Sequence, residues 1–176
     1  ALADGTVGYM SAVTGMVQLD GQAARVNAPD ANTFQLENIN TTTYPAFTAG
    51  VFIPVTVWAT LSRAASYAIG GGDADKLDST TLLDVIKQEE NGLLAAQTVS
   101  FNLKLETVDE EALQIITAAA LTQSRLVFRV TLSDGAQRVF RGQPSIPGED
   151  VQQGQIATGA ISVTGKGQVV KLPTVA

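Results

Sequence analysis

The chain has 176 residues, 45% apolar and only 16% charged, so it suits about one domain with its own core and fits neither a disordered segment nor a coiled coil. Lys and Arg number 11 against 17 Asp and Glu, and a net charge of -6 is the wrong balance for a protein that grips phosphates. His and Cys are both absent, which removes Ser-His and Cys-His nucleophiles, thiolate and imidazole metal sites, and disulfides.

The start, Ala1-Leu2-Ala3-Asp4-Gly5, has neither the basic nor the apolar region of a signal peptide and reads as a chain that has lost only an initiator Met. Abundant Val, Thr and Ile, together with 16 Gly, favour strands and turns over helices. Residues 13–21 suit two short strands with a tight turn at Asp20-Gly21, and residues 33–36 a strand after the turn at 29–32; residues 44–50 close this unit. The run 55–61 is strand-like, with Phe52 and Trp58 as core aromatics beside it. Residues 49–61 are the most apolar stretch, but Pro54 and Thr56 break it and it is shorter than the ~20 residues of a membrane span, so a soluble chain is expected.

Gly70-Gly71-Gly72 opens an acidic stretch that reads as a long loop over residues 70–96, a length that is usually functional. Inside it, Ser79 as a cap and Leu82, Val85 and Ile86 as an apolar group suggest a short helix over residues 80–89. Residues 99–106 alternate, placing Val99, Phe101, Leu103 and Leu105 in the core and Ser100, Asn102, Lys104 and Glu106 outside. A helix follows over about residues 109–121. Thr107 or Asp109 caps it, Glu110 and Glu111 favour its first turn, and Leu113, Ile116 and Ala120 form its buried stripe. The run 126–132 alternates again, with Leu126, Phe128, Val130 and Leu132 inward. Asp134-Gly135 signals a hairpin to a return strand over 137–142. A loop at 144–154, turning at Pro147-Gly148, leads to a last long strand over 156–164, which Gly165-Lys166-Gly167 ends.

Chemistry-bearing patterns are weak. Asp73, Asp75 and Asp78 fail the calcium-loop spacing, and residues 165–167 lack the Ser or Thr and the upstream glycine of a phosphate loop. Glu89-Glu90 lies in the long loop, and Asp109-Glu110-Glu111 is explained as a helix start. Arg125, Arg129, Arg138 and Arg141 gather across one hairpin. No aromatic platform is interleaved with them, so carboxylates of a neighbouring copy are better partners than nucleic acid. Neither a catalytic site nor a cofactor or metal site is expected.

The glycine-rich acidic stretch at 70–82, the strand Val99-Ser100-Phe101-Asn102-Leu103, the acid-capped helix, the Asp134-Gly135 hairpin, Val139-Phe140-Arg141-Gly142 and the closing Ile161-Ser162-Val163-Thr164-Gly165 follow one another in a telling order. Over about residues 55–170 the set resembles the major tail tube protein of long-tailed, non-contractile bacteriophages of the siphophage type. Residues 13–21, 33–36 and 44–50 are similar to a small β module named from ubiquitin-activating enzymes, here only as a packing unit. The division would be an N-terminal segment, 1–54, and a tube domain, 55–176.

The resemblance implies a mainly β fold, a β-sandwich with one flanking α-helix, whose strands join a hexameric ring β-barrel. Rings would stack into a virion tail tube, assembled in the host cytoplasm, with DNA passing unbound through the lumen. Tape measure, tail terminator and tail tip proteins would be further partners. In that frame Ser100, Asn102, Glu106 and Thr131 are candidates for a net negative lumen wall. Asp73, Asp75, Leu77, Leu82, Leu83, Val85, Ile86 and Lys87 are candidates for docking between rings, and Val99, Phe101, Leu103, Leu113, Ile116, Phe128 and Val130 for core. A tail-completion or tail-tip ring protein, or a monomeric β-sandwich binding module, are the alternatives; an enzyme is the weakest.

Overall fold

The structure, a computed structural model, describes residues 2–105 and 110–174. Its elements run β1 (Val7–Thr14), a 3-10 turn (Val17–Leu19), β2 (Ala23–Asn27), β3 (Gln35–Leu36), β4 (Ala49–Pro54), β5 (Ala64–Gly70), β6 (Ala74–Asp78), β7 (Glu89–Leu94), β8 (Thr98–Lys104), α1 (Glu111–Leu121), β9 (Leu126–Thr131), β10 (Gln137–Pro144), β11 (Gly148–Asp150), β12 (Thr158–Gly165) and β13 (Val170–Leu172). The fold is mainly β with one flanking helix among the described residues. One antiparallel sheet has the order β3-β2-β1-β4; a seven-stranded sheet follows β13-β10-β12-β8-β5, with β9 on β10 and β11 on β12; β6 and β7 form a separate ribbon.

Two-residue alternation builds the main core. In β8, Val99, Phe101 and Leu103 are buried while Ser100, Asn102 and Lys104 are exposed. Opposite them in β12 stand Val163 for Val99 and Ile161 for Phe101, and cross-strand partners share a face. With Phe140 and Ile116 these side chains make one cluster, in which Phe140 stacks between Phe128 at 5.2 Å and Phe101 at 6.3 Å. Helix α1 covers this face, burying Ala112, Ile116 and Ala119, a stripe rotated from the expected one so that Ala120 is only half-buried. Leu113, Phe128 and Val130 also stand at the margin of the core, half-buried, because β9 is an edge strand paired only with β10.

The other face of the seven-stranded sheet is divided. At the β10 and β13 end, Val139, Val170 and Leu172 pack against Val7 and Ala23, so the N-terminal sheet lies across it. Met10, Val13 and Leu19 form a third cluster inside the N-terminal unit. Polar side chains fasten this layer. Buried Arg25 donates from Nε to Glu37 Oε2 at 2.6 Å and from Nη2 to Glu37 Oε1 at 2.8 Å, and reaches Gln137 Oε1 at 3.3 Å and the Pro173 carbonyl at 3.1 Å. Gln22 donates to the Gln168 carbonyl at 2.8 Å and accepts from its N–H at 2.8 Å.

Several expectations change. Residues 55–61 lie in no strand; the strand is β5, further along the chain, and its many small side chains mask the alternation of half-buried Tyr67 between exposed Ser66 and Ala68. Residues 13–21 hold the end of β1 and a 3-10 turn, because Gly15 at φ 80° leaves the extended region. The stretch 70–96 holds the β6–β7 ribbon, and the helix expected at 80–89 is a string of turns. Thr107 and Asp109, the expected helix caps, lie outside the described residues. Glu110 stands at the N-cap, and its Oε1 accepts from the Ser62 N–H at 2.5 Å and Ser62 Oγ at 2.7 Å. The Asp134-Gly135 hairpin is as expected, closed by the Gly135 N–H on the Leu132 carbonyl at 2.9 Å.

Candidate functional site

Beyond the N-terminal layer, the second face of the seven-stranded sheet is uncovered among the described residues. Antiparallel register puts Ser66 beside Asn102, Ala68 beside Ser100, Asn102 beside Ala160 and Ser100 beside Ser162. Asn102 Nδ2 donates to Ser66 Oγ at 2.9 Å. The end of β10 and β11 together complete a fourth strand against β12, joined across Pro144–Gly148 by the Ser145 N–H on the Ser162 carbonyl at 2.7 Å. The result is a four-stranded wall of hydroxyl, amide and methyl groups. Its charges are Lys104 and Asp150, both beside Thr158, and they cancel.

This wall brings Ser100 and Asn102 together, as expected. Thr131 has the same facing but sits on β9, with β10 and β12 between it and β8, so it is not part of the wall. Glu106 lies outside the described residues. Among the described residues this sheet face carries no net charge. The wall members missed in the sequence reading, Ser66, Ala68 and Ser162, come from a strand not recognised and from a register that only the folded chain supplies.

The acidity sits on the β6–β7 ribbon instead. Between residues 73 and 94 six carboxylates face two lysines, four of the chain's six net negative charges. Asp73, Asp75, Leu77 and Lys87 are on this ribbon, which ends in an apolar tip where Leu82, Leu83 and Val85 are almost fully exposed and Ile86 is 74% exposed. Hydrogen bonds within the ribbon act on two of its carboxyls. Asp78 titrates below the usual carboxylate range because the Thr80 hydroxyl and N–H donate to it, and Asp84 does so because of the Thr81 N–H and hydroxyl. The tip touches none of the three clusters.

The arginine group is resolved differently from its sequence reading. Arg129 lies over the Trp58 ring at 4.4 Å and Arg141 over the Tyr9 ring at 3.9 Å. The aromatic partners come from distant segments of the same chain, which spacing within the hairpin does not reveal. A groove of about 580 Å³ opens beside β13, lined by Leu19, Ile39, Tyr44, Val170 and Lys171 with several amide side chains between them.

A family model of the phage tail tube protein matches residues 14–171, nearly the whole described chain. The chain belongs to the phage tail tube protein family. Its role is structural, in the tail tube of a virion. No curated protein matched the chain. Among solved structures, a chain from the virion of a native gene transfer agent particle is similar at 14% identity and a TM-score of 0.48, covering 64% of this tail tube protein and 86% of that chain. The family match includes residues 14–54, so the N-terminal sheet falls largely within the tail tube pattern.

Proposed function

We propose that six copies of this tail tube protein close into a ring, that rings stack into a tube, and that the four-stranded wall lines the channel through which DNA leaves. The observation that carries this reading is the wall itself. It is a polar sheet face with no cover among the described residues, and β5 pairs with β8 alone. An open, flat sheet edge is a template for another strand, and closure into a barrel removes it. A wall of neutral hydroxyls and amides holds water and offers DNA no array of cations to grip.

The β6–β7 ribbon supplies contacts between rings through Asp73, Asp75, Leu77, Leu82, Leu83, Val85, Ile86 and Lys87. Burying its apolar tip gains ~25 cal/mol per Å², against the entropy of holding it in place. The segment 1–54 acts as a packing unit on the domain 55–176. Tape measure, terminator and tip proteins contact the tube, assembly takes place in the host cytoplasm, and the protein catalyses no reaction. Electron microscopy of the purified protein tests this reading. Long tubes are expected. Isolated rings would favour a tail-completion or tail-tip role, and monomers at every concentration would overturn self-assembly.

A further inference from the structure

Two like-charged pairs stand in the ladders of this chain. On β10 and β13, Arg138 is directly opposite Lys171; on β6 and β7, Asp78 is directly opposite Glu89. Directly opposed side chains have Cβ atoms about 4.5–5.5 Å apart, and like charges there repel. Within the chain neither pair is relieved by the other sign across its ladder. Arg138 uses Nη1 on the Gln137 carbonyl at 3.0 Å, and among the described residues the ion pairs are Arg25–Glu37, Lys87–Glu89 and Lys166–Asp20, none of which includes Arg138 or Lys171. Glu89 meets Lys87 at 2.7 Å, but both are well exposed, so that bond is weak and readily exchanged.

We propose that the Asp78 and Glu89 pair of one copy docks on the Arg138 and Lys171 pair of a neighbouring copy. The inference rests on the self-assembly reading and names the surface that receives the ribbon. Charge supports this occupant. The ribbon carries most of the chain's net negative charge, and residues 125–141 carry four arginines against one carboxylate, Asp134. Geometry supports it as well. Each pair spans one strand spacing, so two carboxylates face two cations in register and both repulsions are relieved together. Asp78 and Glu89 form the last ladder pair before the tip. The same cations could instead hold DNA, which the experiment distinguishes.

The test is a charge exchange in full-length protein, read by tube formation in the microscope, with circular dichroism as the folding control. R138E/K171E and D78K/E89K should each stay folded and lose tubes, while the combination of all four changes should recover them. R138Q/K171Q, a second variant with no introduced repulsion within the chain, should melt no lower than the parent and need a higher concentration to assemble. The proposal is overturned if either reversal pair assembles like the parent, if the combined variant folds without recovering tubes, or if R138E/K171E keeps its tubes and loses only retention of a labelled DNA duplex. Absence of tubes in the parent protein would count against self-assembly itself, so the two failures are distinct.

Discussion

Arg25 is the single side chain that fastens most of the fold. Only 4% exposed, it joins β2 to Glu37, to β10 through Gln137 and to the residue after β13 through Pro173. Its truncation leaves Glu37 with a partly buried, unpaired carboxylate. Arg25→Ala should therefore cost about 3–5 kcal/mol in urea unfolding, and a midpoint like the parent's would refute the clamp. Phe101 tests the core in the same way, since it stacks with both Phe128 and Phe140. Phe101→Ala should lower stability by ~3–5 kcal/mol, and an unchanged melting temperature would show that its face is wrongly assigned. Asp20 adds a pH dependence. The Lys166 ammonium donates to it at 3.0 Å, and this bond, with the Val13 N–H, holds its carboxyl below the usual range. A lowered folded value means that the contribution is complete above the ordinary carboxylate range and is lost as pH falls through the lowered value. Asp20→Asn should lose stability at neutral pH but fall less steeply on acidification, measured as melting temperature against pH; parallel curves would contradict the link.

At the scale of elements, legibility followed alternation. The strand 99–104, the helix after it and the Asp134-Gly135 hairpin were readable because each has large apolar side chains in period or a turn dipeptide with one main conformation. β5 was not readable, since Ala64, Ala65, Ala68 and Gly70 give little contrast between faces. β13 is three residues long and exists because Val170 and Leu172 close the second cluster, a tertiary cause that local pattern does not carry. The ribbon at 74–94 misled for a third reason. Its apolar residues are concentrated at the tip rather than in a core, so they mimicked a helical stripe although they join none of the core clusters among the described residues. That isolation yields a prediction. Replacing residues 73–91 with a Gly-Ser linker should leave the melting temperature close to the parent's and abolish tubes; tubes of normal appearance would show that the ribbon does not join rings.

At the scale of the molecule, the main sheet has one covered face and one that is partly bare among the described residues. α1 and the three phenylalanines pack one side, and the N-terminal sheet shields the β10 and β13 end of the other. What is left is a neutral wall with open edges, and the acidity lies on a ribbon that projects from it. In the proposed tube, wall and ribbon separate two tasks, passage of DNA and adhesion of subunits. Acidic composition alone suggests a negative channel, but net charge does not say where the carboxylates lie. The most direct measurement is a helical reconstruction of tubes grown from the purified protein, at a resolution that shows side chains. It should show six copies per ring with Ser66, Ser100, Asn102 and Ser162 facing the channel. A tube whose channel is lined by any other face, with these four residues buried between subunits or on the outside, would contradict the account.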